Sequence, residues 1–174
     1  MYKFKVCMLG AFAVGKTSLV QRYVNSLFDD RYHTTLGVKI DQKALELDGQ
    51  KLQLILWDLA GEDEFMKVRA TYLRGASGLI LVVDGLRPDT LDTAIDLLQR
   101  FNEDLQLPFV LAINKADEKA AWQLPRQRID ELRQQGWPIL ETSAKTAEGV
   151  EDLFLQLGRD MLGQAKSQGR EGDG

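Results

Sequence analysis

The sequence holds a single cysteine, Cys7, so no internal disulfide can form and a cysteine-rich zinc site is excluded. No apolar run approaches the roughly 20 residues that a membrane helix needs. Basic charge is not in excess: 22 Lys plus Arg stand against 26 Asp plus Glu, a formal net charge of -4, which disfavours a nucleic-acid footprint. Internal repeats and Pro-rich or Ser-rich linkers are absent. What is present is 174 residues, 44% hydrophobic and 28% charged, enough for one domain to bury a core without staples. With one cysteine and no membrane run, a soluble domain in a reducing, cytoplasmic setting is expected. Lys3 and Lys5 ahead of Val6 to Gly10 and Ala11-Phe12-Ala13 have the outline of a leader, but the apolar stretch is about five residues where seven or more are usual.

Apolar runs alternate with helix-period segments, the pattern of an α/β domain with a mixed, mostly parallel sheet of about six strands and about five helices. Phe4 to Leu9 reads as a buried strand, and Leu19, Val20, Tyr23, Val24 and Leu27 place a helix after a Gly-rich turn. Residues 38–47 and 51–57 flank Asp48-Gly49, which favours a type I′ hairpin. Further strands are expected at Leu79 to Val83, Phe109 to Ile113 and Pro138 to Leu140. Leu91, Ala94, Ile95, Leu98, Phe101 and Leu105 describe a one-faced helix, and Val150, Leu153, Phe154, Leu157 and Met161 the last one. The domain spans 1–162, and 163–174, glycine-rich and poor in apolar residues, reads as a flexible tail.

Gly10-Ala11-Phe12-Ala13-Val14-Gly15-Lys16-Thr17 fits G-x-x-x-x-G-K-[ST] between a strand and a helix. The glycines let backbone N–H groups form a concave nest for phosphate oxygens, and the helix start adds its positive end. Lys16 supplies a mobile charge for outer phosphates, and the Thr17 hydroxyl suits Mg²⁺. A chance Gly-rich turn is the bland alternative; the strand-before, helix-after context counts against it. The pattern does not separate ATP from GTP.

Asn114-Lys115-Ala116-Asp117 follows a strand at the carboxyl edge where open α/β sheets bind ligands. A carboxylate fixed there can accept both N1–H and the exocyclic amine of guanine, a pair of donors that adenine lacks. Asp58-Leu59-Ala60-Gly61 ends another strand; Asp58 suits Mg²⁺ through a water, and the Gly61 N–H a terminal phosphate.

Taken in order, these motifs make the chain resemble the Ras superfamily of small GTPases from about Lys3 to Leu162, with the fold of a G domain. The family's phosphate loop is matched at Gly10 to Thr17, with Ser18 beside it, its Asp-x-x-Gly at Asp58 to Gly61, and its Asn-Lys-x-Asp at Asn114 to Asp117. Its last base loop is matched by Glu141-Thr142-Ser143-Ala144-Lys145. The resemblance implies bound GTP or GDP with Mg²⁺ held by Thr17, Thr35 and Asp58, and a reaction served by Lys16, Thr35 and Glu62. It makes Phe28 an aromatic against the guanine, Lys115 and Lys145 flanking stems, and the Ala144 N–H a donor to the base, while Asp29 and Asp30 face the ribose or water. Tyr32-His33-Thr34-Thr35-Leu36-Gly37 looks like a first switch loop, with His33 an exposed loop residue rather than a catalyst.

Trp57 ahead of Asp58, and Tyr72-Leu73-Arg74-Gly75-Ala76, resemble the Rab branch most. Ile40, Trp57 and Tyr72 then match an effector-facing hydrophobic triad, with the core as the competing destination. The branch implies an effector, an exchange factor and an activating protein as partners. No association seam stands out, so a monomer is expected. Ser167 to Gly174 offers no cysteine for prenylation and the start no Met-Gly, so no lipid anchor of its own is expected.

Two departures bear on turnover. Glu62 stands where the family has the glutamine that orients the attacking water; it could act as a base, or swing out to solvent and do nothing. Phe12 stands where a small residue is usual, and its ring, with Ala13 beside it, should crowd an incoming arginine finger. The expected function is a GTP-binding switch with slow hydrolysis. A GTP-regulated binding module with negligible hydrolysis is the alternative, and an ATP-using kinase is disfavoured by Asp117.

Overall fold

The computed structural model describes residues 1–29, 37–62 and 67–172. Its centre is β1 (Tyr2–Gly10), which runs parallel to β3 (Gln50–Leu59) on one side and to β4 (Gly78–Asp84) on the other. A strand covered on both faces needs apolar residues at every position. Val6 to Gly10 are accordingly all buried, Val6 and Met8 in one core, Cys7 and Leu9 in the other. The six strands lie in the order β2-β3-β1-β4-β5-β6, with β2 (Val38–Leu47), β5 (Phe109–Asn114) and β6 (Ile139–Glu141) completing the sheet. Among the described residues only β2 is antiparallel to its neighbour, pairing Val38 with Leu59 and Leu47 with Gln50. The turn has Asp48 at φ 50° and Gly49 at φ 79°, both positive as a type I′ hairpin requires.

Among the described residues there are four α-helices, α1 (Lys16–Asn25), α2 (Asp89–Leu105), α3 (Arg126–Gln134) and α4 (Val150–Gly172), and 3-10 turns at Ala70–Leu73 and Ala116–Ala121. α1 and α4 cover the face of Val6 and Met8, where Phe154 is fully buried and stacks on Tyr23 with centroids 4.0 Å apart. α2 and α3 cover the other face through Leu91, Ala94, Leu97, Leu98, Ile129 and Leu132. The close seat of α4 depends on Gly78, where a Cβ would lie 2.7 Å from the Met161 sulfur. None of the described helices is long and apolar enough to cross a membrane.

The mixed sheet read from the sequence is the one found, with shifted ends. β1 extends from Tyr2 to Gly10 rather than from Phe4 to Leu9. β6 starts after Pro138, which has no N–H to give the ladder but accepts a bond from the Leu111 N–H through its carbonyl at 2.9 Å. The tail expected from Gly163 is instead helical through Gly172, as the final turns of α4. Met161 and Leu162 are buried and Ala165 packs on the core, so the apolar stripe runs on past the point where composition alone marked an end.

Phe154 is the largest fully buried side chain of the α4 face. Phe154→Ala should cost about 3–5 kcal/mol of unfolding free energy, read as a lower urea midpoint.

Candidate nucleotide site

The carboxyl ends of the parallel strands deliver their following loops to one edge of the sheet. The loop after β1 turns sharply: Ala13 takes φ 64° and Gly15 φ 102°, reversals that aim successive N–H groups inward. Two contacts make glycine obligatory, since a Cβ at Gly10 would sit 2.6 Å from the Val82 carbonyl and one at Gly15 2.3 Å from Asn114 Nδ2. α1 begins directly afterwards with no side chain capping its first turn.

Lys16, only 5% exposed, donates from Nζ to the Ala11 carbonyl at 3.1 Å. Burial pushes its ammonium down to about 8, Asp58 pulls the other way, and Arg87 adds to the depression. Beside it the Thr17 hydroxyl donates to Asp58 Oδ2 at 2.6 Å, closing the end of β3 onto the start of α1. A hydroxyl and one buried carboxylate are hard oxygen donors that fit Mg²⁺, which takes its remaining ligands from water and phosphate. Among the described residues no group of three or more His, Cys, Asp or Glu forms an all-protein cage.

The neighbouring pocket edge comes from β5 and β6. Asn114 donates from Nδ2 to the Val14 carbonyl at 3.1 Å and accepts from the Thr142 hydroxyl at 3.3 Å, so one buried amide joins three loops. Ser143 donates to Asp117 Oδ1 at 2.7 Å, orienting an exposed carboxylate and leaving Oδ2 for a further donor. From α1, Arg22 donates to the carbonyls of Ala144 and Lys145, each at 2.7 Å, and ties the last loop to the phosphate-side helix.

A model of the Ras family matches residues 5–163. The chain belongs to the Ras family. Its relatives include the Ras-related protein Rab-13 of Bos taurus, 32% identical over 170 residues that cover 96% of this chain and 83% of the relative. Rab-8B of Homo sapiens is 33% identical over 164 residues, covering 92% and 79%. Rab-12 of Mus musculus is 34% identical over 167 residues, covering 92% and 68%. The protein is thus a Rab-like small GTPase, and binding GTP or GDP with Mg²⁺ and hydrolysing GTP are properties of its family.

In this Rab-like chain, Gly10, Ala11, Phe12, Ala13, Val14, Gly15, Lys16, Thr17 and Ser18 form the loop and helix start, with Asp58 and Gly61 against it and Asn114, Lys115, Asp117, Ser143, Ala144 and Lys145 on the adjoining edge. Phe28 is half-buried and packs on the α1/α4 core. Asp30, Tyr32, His33, Thr34, Thr35 and Leu36 lie outside the described residues. Of the three hydrophobic residues matched to an effector face, Ile40 is 48% exposed and pairs across β2 and β3 with Trp57. Trp57 and Tyr72 are half-buried against the α2/α3 core, and Lys5 lies over the Trp57 ring. Lys115 bonds Asp84 at 2.8 Å from its ammonium.

Glu62 does not swing out to solvent. It is 6% exposed, its N–H donates to the Gly10 carbonyl and its carbonyl accepts from the Phe12 N–H, both at 3.1 Å. Phe12 itself is 37% exposed, and its carbonyl accepts from Arg87 at 2.5 Å.

Several supports escaped the sequence reading. Arg87 and Asp84 carried no motif. Trp122 donates from Nε1 to the Lys115 carbonyl at 2.8 Å, and its ring fills the space where a Cβ on Gly85 would stand. A tryptophan a few residues past Asn-Lys-x-Asp was the one available signal. Asn114→Ala strands the buried Val14 carbonyl and should lower the stability of the nucleotide-free chain by about 1–3 kcal/mol in urea unfolding. An unaltered midpoint would show that the amide is not what joins the loops.

Proposed function

We propose that this chain is a GTP-binding switch that hydrolyses GTP to GDP slowly, with Thr17, Asp58 and Thr35 on the Mg²⁺ side and Asp117 reading the guanine. The observation that carries the reading is the meeting, at one sheet edge, of a buried Lys16 and a Thr17–Asp58 pair with an Asp117 carboxylate fixed by Ser143. Lys16 gives an anionic polyphosphate a desolvated cation, and the loop N–H groups give it donors. Mg²⁺, when bound, supplies charge that draws electron density from the outer phosphates. Asp117 accepts N1–H and the exocyclic amine of guanine; adenine leaves the carboxylate without those donors.

Hydrolysis adds water at the terminal phosphorus, breaks the bond to the bridging oxygen and yields GDP, inorganic phosphate and a proton. This chain lacks a glutamine beside Gly61 to orient that water, and Phe12 narrows the approach for a partner's arginine. Both features support a slow rate. The buried Glu62 also favours a second reading, a GTP-regulated binding module with negligible hydrolysis. Ile40, exposed on the edge strand opposite Trp57, is the proposed contact point for an effector.

Competitive titration with GTP, ATP and XTP tests the base assignment. Asp117→Asn should weaken GTP by about 10- to 100-fold, the scale of a charged hydrogen bond, and strengthen XTP. GTP affinity unchanged by the substitution would contradict it.

A further inference from the structure

We propose that Arg100 is a positioning residue that holds Glu62 away from the phosphate site, so that turnover of GTP is governed by release of this pair. The inference rests on the GTPase reading and deepens it. Arg100 stands on α2, 38 positions from Glu62 in sequence, and meets its carboxylate with two parallel bonds, Nη1 to Oε1 at 2.6 Å and Nη2 to Oε2 at 3.1 Å. Oε1 also accepts the Val68 N–H at 3.2 Å. Oε1 therefore has both acceptor positions filled, by α2 and by Val68, and Oε2 has one filled by α2, so the carboxylate is oriented by the protein on both oxygens.

The backbone of Glu62 is fixed as firmly as its side chain. It bridges Ala11, between the Gly10 carbonyl and the Phe12 N–H, and a Cβ on Gly61 would lie 2.5 Å from the Phe12 Cα. Glu62 is thus pinned at two points, to the phosphate loop by backbone and to α2 by charge. The paired carboxylate is 5% exposed and the guanidinium 36% exposed, so the pair is shielded on the Glu62 side and reachable on the Arg100 side. Asp96, one turn earlier on α2, shares the guanidinium and keeps it oriented when Glu62 leaves. The bonds to Glu62, and then to Asp96, raise Arg100 above its ordinary value, so it stays a cation at any working pH.

Removing the cation leaves a desolvated carboxylate without its charge partner, an arrangement that drives the carboxylate outward. Lysine in its place keeps the charge but not the planar fork, and should hold Glu62 less well. The test is single-turnover hydrolysis of GTP with Mg²⁺ by the full chain and by Arg100→Ala, Arg100→Lys, Glu62→Ala and Arg100→Ala/Glu62→Ala, with GTP affinity and thermal unfolding measured on each. Arg100→Ala should raise the rate about tenfold or more, short of the roughly 100- to 10,000-fold that a fully positioned acid–base group supplies. Arg100→Lys should fall between, keeping the test intact if the alanine variant folds poorly. The double variant should return to the rate of Glu62→Ala alone, a dependence that simple loosening of the fold would not produce. A rate unmoved or lowered by both single Arg100 variants, or a gain that survives in the double variant, overturns the inference while GTP binding stands. Failure of the unmodified chain to bind GTP overturns the nucleotide reading, and this inference with it.

Discussion

The amide of Asn114 is the joint on which the nucleotide edge depends. It reaches from the end of β5 to the Val14 carbonyl and accepts from Thr142 beyond β6, so the phosphate loop and the last base loop share one buried side chain. The joint works because Gly15 has no Cβ; any larger residue would collide with the same amide nitrogen. Thr17 and Asp58 make the corresponding closure towards β3, and Arg22 the one towards Ala144. Each loop leaves a different strand, and the sheet register fixes where each begins. The side chains then fix how the loops face each other.

Charge is handled in the same way throughout this edge: every buried ionisable group considered above has a named partner. Lys16 lies among the phosphate-loop carbonyls near Asp58, Asp84 receives Lys115, and Glu62 receives Arg100. Burying such groups without partners would cost several kcal/mol each, so the pairs are conditions for the fold as well as for binding. Lys16 is the group whose burial depresses it furthest towards neutrality, to about 8. In the proposed function an incoming polyphosphate therefore meets a cation that gains by its arrival. Asp84 has a further neighbour in Arg87, whose guanidinium also holds the Phe12 carbonyl, and so base loop and phosphate loop are linked by charge too.

Local features were legible in the sequence because their causes are local. Strand alternation, the helical stripe of α2 and the Asp48-Gly49 turn each follow from a period or a dihedral demand carried by a few adjacent residues. The loop from Gly10 to Thr17 was legible because its chemistry fixes residue types at fixed spacing. Arg100 was not, since on its own helix it reads only as the surface partner of Asp96; its contact with Glu62 exists only once the fold brings α2 beside the residue after Gly61. Trp122 and Arg87 escaped for the same reason. The end of α4 is not legible in the composition, where glycine content outweighs the apolar stripe, whereas packing of Met161, Leu162 and Ala165 carries the helix on.

The proposed guanine-nucleotide site occupies one edge of this sheet, with its phosphate and base halves built as a unit. The most direct measurement is to denature the freshly purified chain, separate what it releases by ion exchange, and identify it by mass. Guanosine nucleotide approaching one mole per mole of chain is the predicted result. Adenosine nucleotide in its place, or an empty chain that takes up no GTP or GDP when either is supplied with Mg²⁺, would contradict it.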